Sequence, residues 1–184
     1  LDYTFSVSEG NETSSDAFFL DLSSGRQSEK IPVMLTWDQT HTLNGTVTIG
    51  NSRDWNVTLV ARLGSGLPYT PQLIDSQLYL RTNSGRKPSQ VTVDLLADKV
   101  INLFGFDFTV FLKVFNLFDT LNERYIYSDT GRATYSLTQN QTPAQQTNKM
   151  AETIPGIHSA DEYFVRPTYY SAPREVRVGF SVDF

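Results

Sequence analysis

Residues 174–184 read REVRVGFSVDF. Val176, Val178, Phe180, Val182 and Phe184 fall on one side of an extended chain, and Glu175, Arg177, Gly179, Ser181 and Asp183 on the other. Successive side chains of a strand point to opposite faces, so this strict alternation predicts a strand with one apolar and one polar face. The same pattern recurs five times upstream. In 1–8, Tyr3, Phe5 and Val7 alternate with polar residues; in 40–50, Leu43, Val47 and Ile49 do so. In 55–65 the apolar set is Trp55, Val57, Leu59, Ala61 and Leu63, and in 90–102 it is Val91, Val93, Leu95 and Ala97. In 106–116 it is Phe106, Phe108, Val110, Leu112 and Val114, with Phe111 and Phe115 as exceptions on the polar face.

The connections between these six segments are 9–39, 51–54, 66–89, 103–105 and 117–173, so long and short alternate without exception. A soluble sandwich has no reason to place every long loop at one end. A barrel of the outer-membrane type does, because its periplasmic turns are short and its external loops long. Strand length agrees. Eleven residues rising ~3.3 Å each and tilted by roughly 40° span about 28 Å, close to an apolar band about 25 Å tall. The expected fold is therefore all-β, an antiparallel transmembrane barrel segment of about six strands occupying 1–184. An open edge in hydrocarbon strands unpaired backbone groups, and known single-chain barrels begin at eight strands. Six strands are thus expected to be the C-terminal part of a larger barrel.

Composition narrows the alternatives. The chain has 184 residues, 20 acidic against 15 basic, no cysteine and two histidines, His41 and His158. The acidic balance argues against a nucleic-acid partner. Lack of cysteine removes disulfides, thiolate metal sites and cysteine nucleophiles. No run of 18 apolar residues suits a transmembrane helix. The opening LDYTFSVS has neither the basic nor the apolar region of a signal peptide, nor a starting Met, which fits a mature chain or one cut from something longer. Aromatics reach 12% while charged residues are 19%, a balance that suits a β-rich chain.

Several stretches together resemble the C-terminal barrel segment of TonB-dependent outer-membrane receptors, particularly the Bacteroidetes-like group. They are Trp37–Asn44, Gly64–Pro71, Asn83–Pro88, Val114–Asp119, Tyr127–Arg132 and the terminal strand. The resemblance covers nearly the whole chain. It implies a 22-stranded barrel around an N-terminal plug, importing a scarce ligand with energy delivered by TonB to a segment before the plug. It implies as partners the remainder of the barrel and the plug, TonB through that missing part, outer-membrane lipid and the barrel-assembly machinery. Such proteins end in an assembly signal, whose positions Arg177, Gly179, Val182 and Phe184 fill here and which is expected to be read as a strand added to a sheet edge.

Other motifs reduce to simpler readings. Asp129-Thr130-Gly131 spells the aspartic-protease triplet, but that chemistry needs two facing carboxylates, and a turn is the better account. Sequons begin at Asn11, Asn44, Asn56 and Asn140; two of them lie within strands and suit no glycan. Neither histidine has zinc-site spacing, and no acidic loop has the EF-hand pattern. Gly64-Ser65-Gly66 lacks the Lys and helix of a phosphate loop and is expected to let a strand leave the sheet. Trp37, Trp55, Tyr69, Tyr79 and Phe104 are expected to form interfacial girdles. No catalytic residue, metal or cofactor is expected. The two competing functions are a soluble β-sandwich binding module and an outer-membrane barrel enzyme.

Overall fold

The computed structural model of the chain describes residues 1–11, 17–25, 32–51, 54–72, 81–138, 155–156, 162 and 164–183. Its elements in order are β1 (Asp2–Phe5), β2 (Glu9–Gly10), α1 (Ala17–Ser23), β3 (Val33–Met34), β4 (His41–Asn51) and β5 (Trp55–Gly64). Then come β6 (Pro68–Tyr69), β7 (Gly85–Arg86), β8 (Gln90–Leu103), β9 (Phe106–Phe115), a 3-10 turn (Pro167–Tyr169) and β10 (Glu175–Asp183). β1, β4, β5, β8, β9 and β10 form one antiparallel sheet in that order. β2 pairs with β3, and β6 with β7, as small ladders outside it.

The long strands match the alternation in the sequence, but β1 does not. It ends at Phe5, so Val7 lies beyond it. The two tight connections have the geometry their residues dictate. Phe104 and Gly105 form a two-residue hairpin loop with positive φ at both positions, 56° and 82°, as a type I′ turn requires. At the other, the Asp54 N–H donates to the Asn51 carbonyl at 2.8 Å. All three long connections leave from the opposite end.

Register carries the alternation across the sheet. One row reads Val176, Val114, Leu95, Leu59 and Val47. The next, nearer the tight turns, reads Val178, Leu112, Ala97, Val57 and Ile49. Between them runs a row of the other face, Arg177, Lys113, Leu96, Thr58 and Thr48. A slip of one residue would invert a whole strand, so the apolar sets of five strands meeting in register define one continuous face.

Nothing packs over that face among the described residues. Val178 is 71% exposed, Phe180 74%, and Leu59 and Val110 41% each. Buried apolar side chains are few among the described residues: Val114 in the sheet, and Pro68 and Ala133 outside it. A sheet with its apolar side bare has no hydrophobic core of its own.

The sheet is also sheared. The row through Val47, one residue past the middle of β4, reaches β10 at Val176, three residues short of its middle at Gly179. Some four residues of ~3.3 Å over four strand spacings of ~4.8 Å make the strands lean by about 35° from the perpendicular to the line of strand centres.

Candidate functional site: an apolar face, two open edges and a loop cap

The polar face is held by side chains that pair across strands. Thr48 and Thr58 share a hydrogen bond of 3.0 Å, Asn56 donates to Asp98 at 3.3 Å, and Arg62 pairs with Asp94 at 3.2 Å. The exceptions to alternation, Phe111 and Phe115, have partners here. The Lys113 ammonium lies 5.1 Å from the Phe111 ring centre, and the Arg177 guanidinium 5.1 Å from that of Phe115. These are cation–π contacts. The Phe111 ring also reaches over Gly179, its register partner; a Cβ there would run into the ring at Cζ and sit 2.8 Å from Cε1.

Gly179 is thus small because Phe111 occupies its side-chain space. Gly179→Ala is expected to cost about 1–3 kcal/mol by overpacking. Phe111→Leu in the same chain should recover much of it, so a double-mutant cycle by chemical denaturation should give a coupling of at least ~0.5 kcal/mol. Additive losses would show that Gly179 answers to something else.

At the long-loop end, the shear leaves the first residues of β8 beyond the reach of β9. Loop residues take the missing place. The Leu117 N–H donates to the Val93 carbonyl at 2.7 Å. The Asn122 side chain imitates a strand neighbour, accepting from the Val91 N–H and donating to its carbonyl, both at 2.8 Å. Asn116 is buried with φ of 52° and donates to the carbonyls of Thr120 and Ala172, each at 3.1 Å. The Asp119 carboxylate accepts from the Arg174 N–H at 2.8 Å, fixing where β10 begins.

One charge pair then joins the first two long loops, and a second braces the third loop on itself. Asp38, fully buried, accepts from Arg86 at 2.6 Å, from the Ser8 N–H at 2.6 Å and from the Thr40 hydroxyl at 3.0 Å. Burial opposes ionisation of Asp38, but Arg86, Ser8 and Thr40 outweigh it and hold the carboxyl below its usual range. Glu123, buried beside the Arg132 guanidinium, accepts from Nη2 at 2.7 Å and Nε at 3.0 Å, and from the Ala133 N–H at 2.6 Å. There too burial pushes upward, and these donors win and lower it. Burial beside Glu123 raises the Tyr170 phenol. The second and third loops are joined at Gln72 and Ser128, whose backbones bond at 3.0 Å, while the Tyr69 ring fills the space beside Gly85 and Gly131. Over this cap the Tyr127 and Tyr169 rings meet at a tilt of 45° with centroids 5.2 Å apart, Tyr125 lies 6.0 Å from Tyr169, and Phe164 6.2 Å from Tyr127.

β1 and β10 end the sheet, each paired on one side. β1 covers only His41–Asn44 of β4, so Gly45–Asn51 has no neighbour on that side among the described residues. These edges present bare N–H and C=O groups.

The sequence singled out residues that fall into different places. Arg177 and Gly179 lie on the polar face and Val182 on the apolar one; Arg177 also bonds Glu175 at 2.6 Å. Phe184, His158, Tyr79 and Asn140 lie outside the described residues. Trp55 and Phe104 stand at the tight-turn end, exposed, whereas Tyr69 belongs to the cap rather than to a girdle. His41 bonds the Tyr3 hydroxyl at 2.9 Å and stacks on it. Asp129 accepts from Ser136 Oγ and the Leu137 N–H, both at 2.7 Å, and Gly131 turns with φ of 70°. Among the described residues no three His, Asp or Glu side chains gather as a metal site. No helix described is long and apolar enough to cross a membrane, which leaves crossing by strands open. The charged cap was not foreseen: Asp38 and Arg86 are 48 positions apart, and only the resemblance had marked their stretches.

The class these features define is an open, sheared, antiparallel sheet with one bare apolar face and a charged cap of loops at one end. Comparison with protein-family models, curated proteins and solved structures returned no match.

Proposed function

We propose that this chain is the C-terminal wall segment of an outer-membrane β-barrel, and that the barrel is a TonB-dependent receptor importing a scarce ligand. The observation that carries the barrel reading is the bare apolar face running in register across five strands. A soluble monomer seldom exposes an apolar patch beyond a few hundred Å2, whereas acyl chains cover such a face at no cost. The lean of about 35° lies in the range that barrel closure demands. Two open edges ask for further strands, since hydrocarbon gives backbone groups no other partner.

In this reading the remaining strands pair with β1 and β10, the polar face lines a lumen around a plug, and the cap forms part of the external entrance. The aromatic cluster of Tyr125, Tyr127 and Tyr169 stands where a ligand would first meet the protein. The chain's part is scaffold and entrance rather than chemistry. The receptor identity rests on the resemblance of its motifs, above all Val114–Asp119 and the terminal strand.

Membrane fractionation of the product of the complete coding sequence tests both levels. The protein is expected in the outer membrane, resistant to carbonate extraction, with a plug domain encoded upstream. Monodisperse protein in buffer without detergent would return the chain to the β-sandwich reading. Outer-membrane protein without a plug would retain the barrel and remove the receptor.

A further inference from the structure

On the apolar face, the last row to cross all five long strands before the tight turns runs Asn51, Trp55, Lys99, Val110 and Phe180. Lys99 is the one Lys or Arg on that face of the described strands, and it sits directly opposite Trp55. It has no ion-pair or hydrogen-bond partner among the described residues. Beside it is a groove of about 330 Å3 walled by Trp55, Val57, Val110 and Leu112. Ala97 leaves the depression, being the small residue between Val57 and Leu112 in its row.

An unpaired ammonium in the middle of an apolar face is costly unless an anion meets it. A long Lys stem reaches toward the headgroup layer while its methylenes stay among apolar groups. Trp is the side chain best suited to that same depth. Resting on the membrane reading above, we infer that this groove is a binding site for an anionic phospholipid. One acyl chain lies along Ala97 between Trp55 and Val110, and the phosphate meets the Lys99 ammonium. The tight-turn end is the periplasmic one in this reading, so the lipid belongs to the inner leaflet. Charge complementarity selects the anionic class, because a zwitterionic headgroup carries its own cation to its phosphate.

Trp55 reports on the site directly. The chain has two tryptophans, so in the complete protein Trp55 becomes the single fluorophore once Trp37 and any tryptophan of the remaining strands or plug are replaced by Phe. Reconstituted protein is to be titrated with phosphatidylglycerol brominated on its acyl chains, and separately with brominated phosphatidylcholine, at equal mole fractions. Trp55 is expected to be quenched with a roughly five-fold preference for the anionic lipid, the enrichment one lysine gives near such a surface. Lys99→Gln should abolish the preference, and Lys99→Arg should keep it. Ala97→Leu should weaken quenching by both lipids. Equal quenching by the two lipids, or a preference that survives Lys99→Gln, overturns the inference while leaving the membrane reading intact. No quenching by either lipid overturns the membrane reading, and the site with it.

Discussion

Leu59→Arg is expected to cost the inserted state about 2–4 kcal/mol, and its neighbour Thr58→Arg only about 1 kcal/mol. Leu59 lies mid-strand in β5, in the row from Val176 to Val47, with its side chain 41% exposed and nothing packed over it. An arginine there must leave water for acyl chains, and the penalty is greatest near the bilayer midplane. Thr58 faces the other way, in the row with Lys113 and Arg177. Its replacement forfeits the hydrogen bond to Thr48, and the new charge stays among polar groups. Refolding titrations into lipid vesicles measure both. Equal costs would mean that the faces are wrongly assigned.

The second large effect concerns the cap. Asp38→Ala is expected to destabilise the loop assembly by about 2–3 kcal/mol. Removing one partner of a buried ion pair usually costs 3–5 kcal/mol, because the other charge is stranded. The figure here is smaller since Arg86 keeps a third of its side chain in water. The substitution also orphans the Ser8 N–H and the Thr40 hydroxyl. The loss should be local, loosening the join between the loops before β4 and before β8 while the sheet persists.

The same carboxylates set a pH response. Asp38 and Glu123 are both held below their ordinary range in the folded chain. Their stabilising contribution is therefore complete above the unfolded values, about 3.9 and 4.3. It is lost as pH falls further, through the lowered folded values. The amides of Ser8 and Ala133, which donate to the two groups, report on this by hydrogen exchange. Their protection, corrected for intrinsic rates, should hold from neutral pH to about pH 4.5 and fall below it. A loss between pH 6 and 7 would assign the joint to a histidine instead.

The strands were legible because period-two alternation is a local property. Each of β4, β5, β8, β9 and β10 carries it in its own ten or so residues. Antiparallel neighbours followed from the short turns. Phe111 and Phe115 broke the pattern, since Gly179 and the Arg177 cation, which help seat them, are supplied by cross-strand register, and only Lys113 lies on their own strand. Lys99 has apolar-face parity, yet its meaning depends on Trp55, 44 positions away and opposite it only once the sheet is paired. The cap was the least legible part. Asp38 with Arg86 joins two loops and Glu123 with Arg132 braces one loop on itself, and no spacing rule joins residues that meet through irregular backbone. β1 looked like an eight-residue strand because Val7 continues the alternation; its pairing stops at Phe5 opposite His41, where β4 begins.

The central claim is that one side of this sheet faces acyl chains. Residues 1–184 include no cysteine, so in the complete protein, with any cysteine of the remaining strands or plug replaced by Ser, Val57→Cys, Thr58→Cys, Leu59→Cys and Val60→Cys each give a single site for a nitroxide label. In protein reconstituted into vesicles, collision rates with dissolved oxygen and with a water-soluble nickel chelate separate lipid from water. Oxygen collisions should peak at 57 and 59, and chelate collisions at 58 and 60, in strict antiphase. Rates that fail to alternate, or labels at 57 and 59 shielded from both probes as in a packed protein interior, would contradict the account.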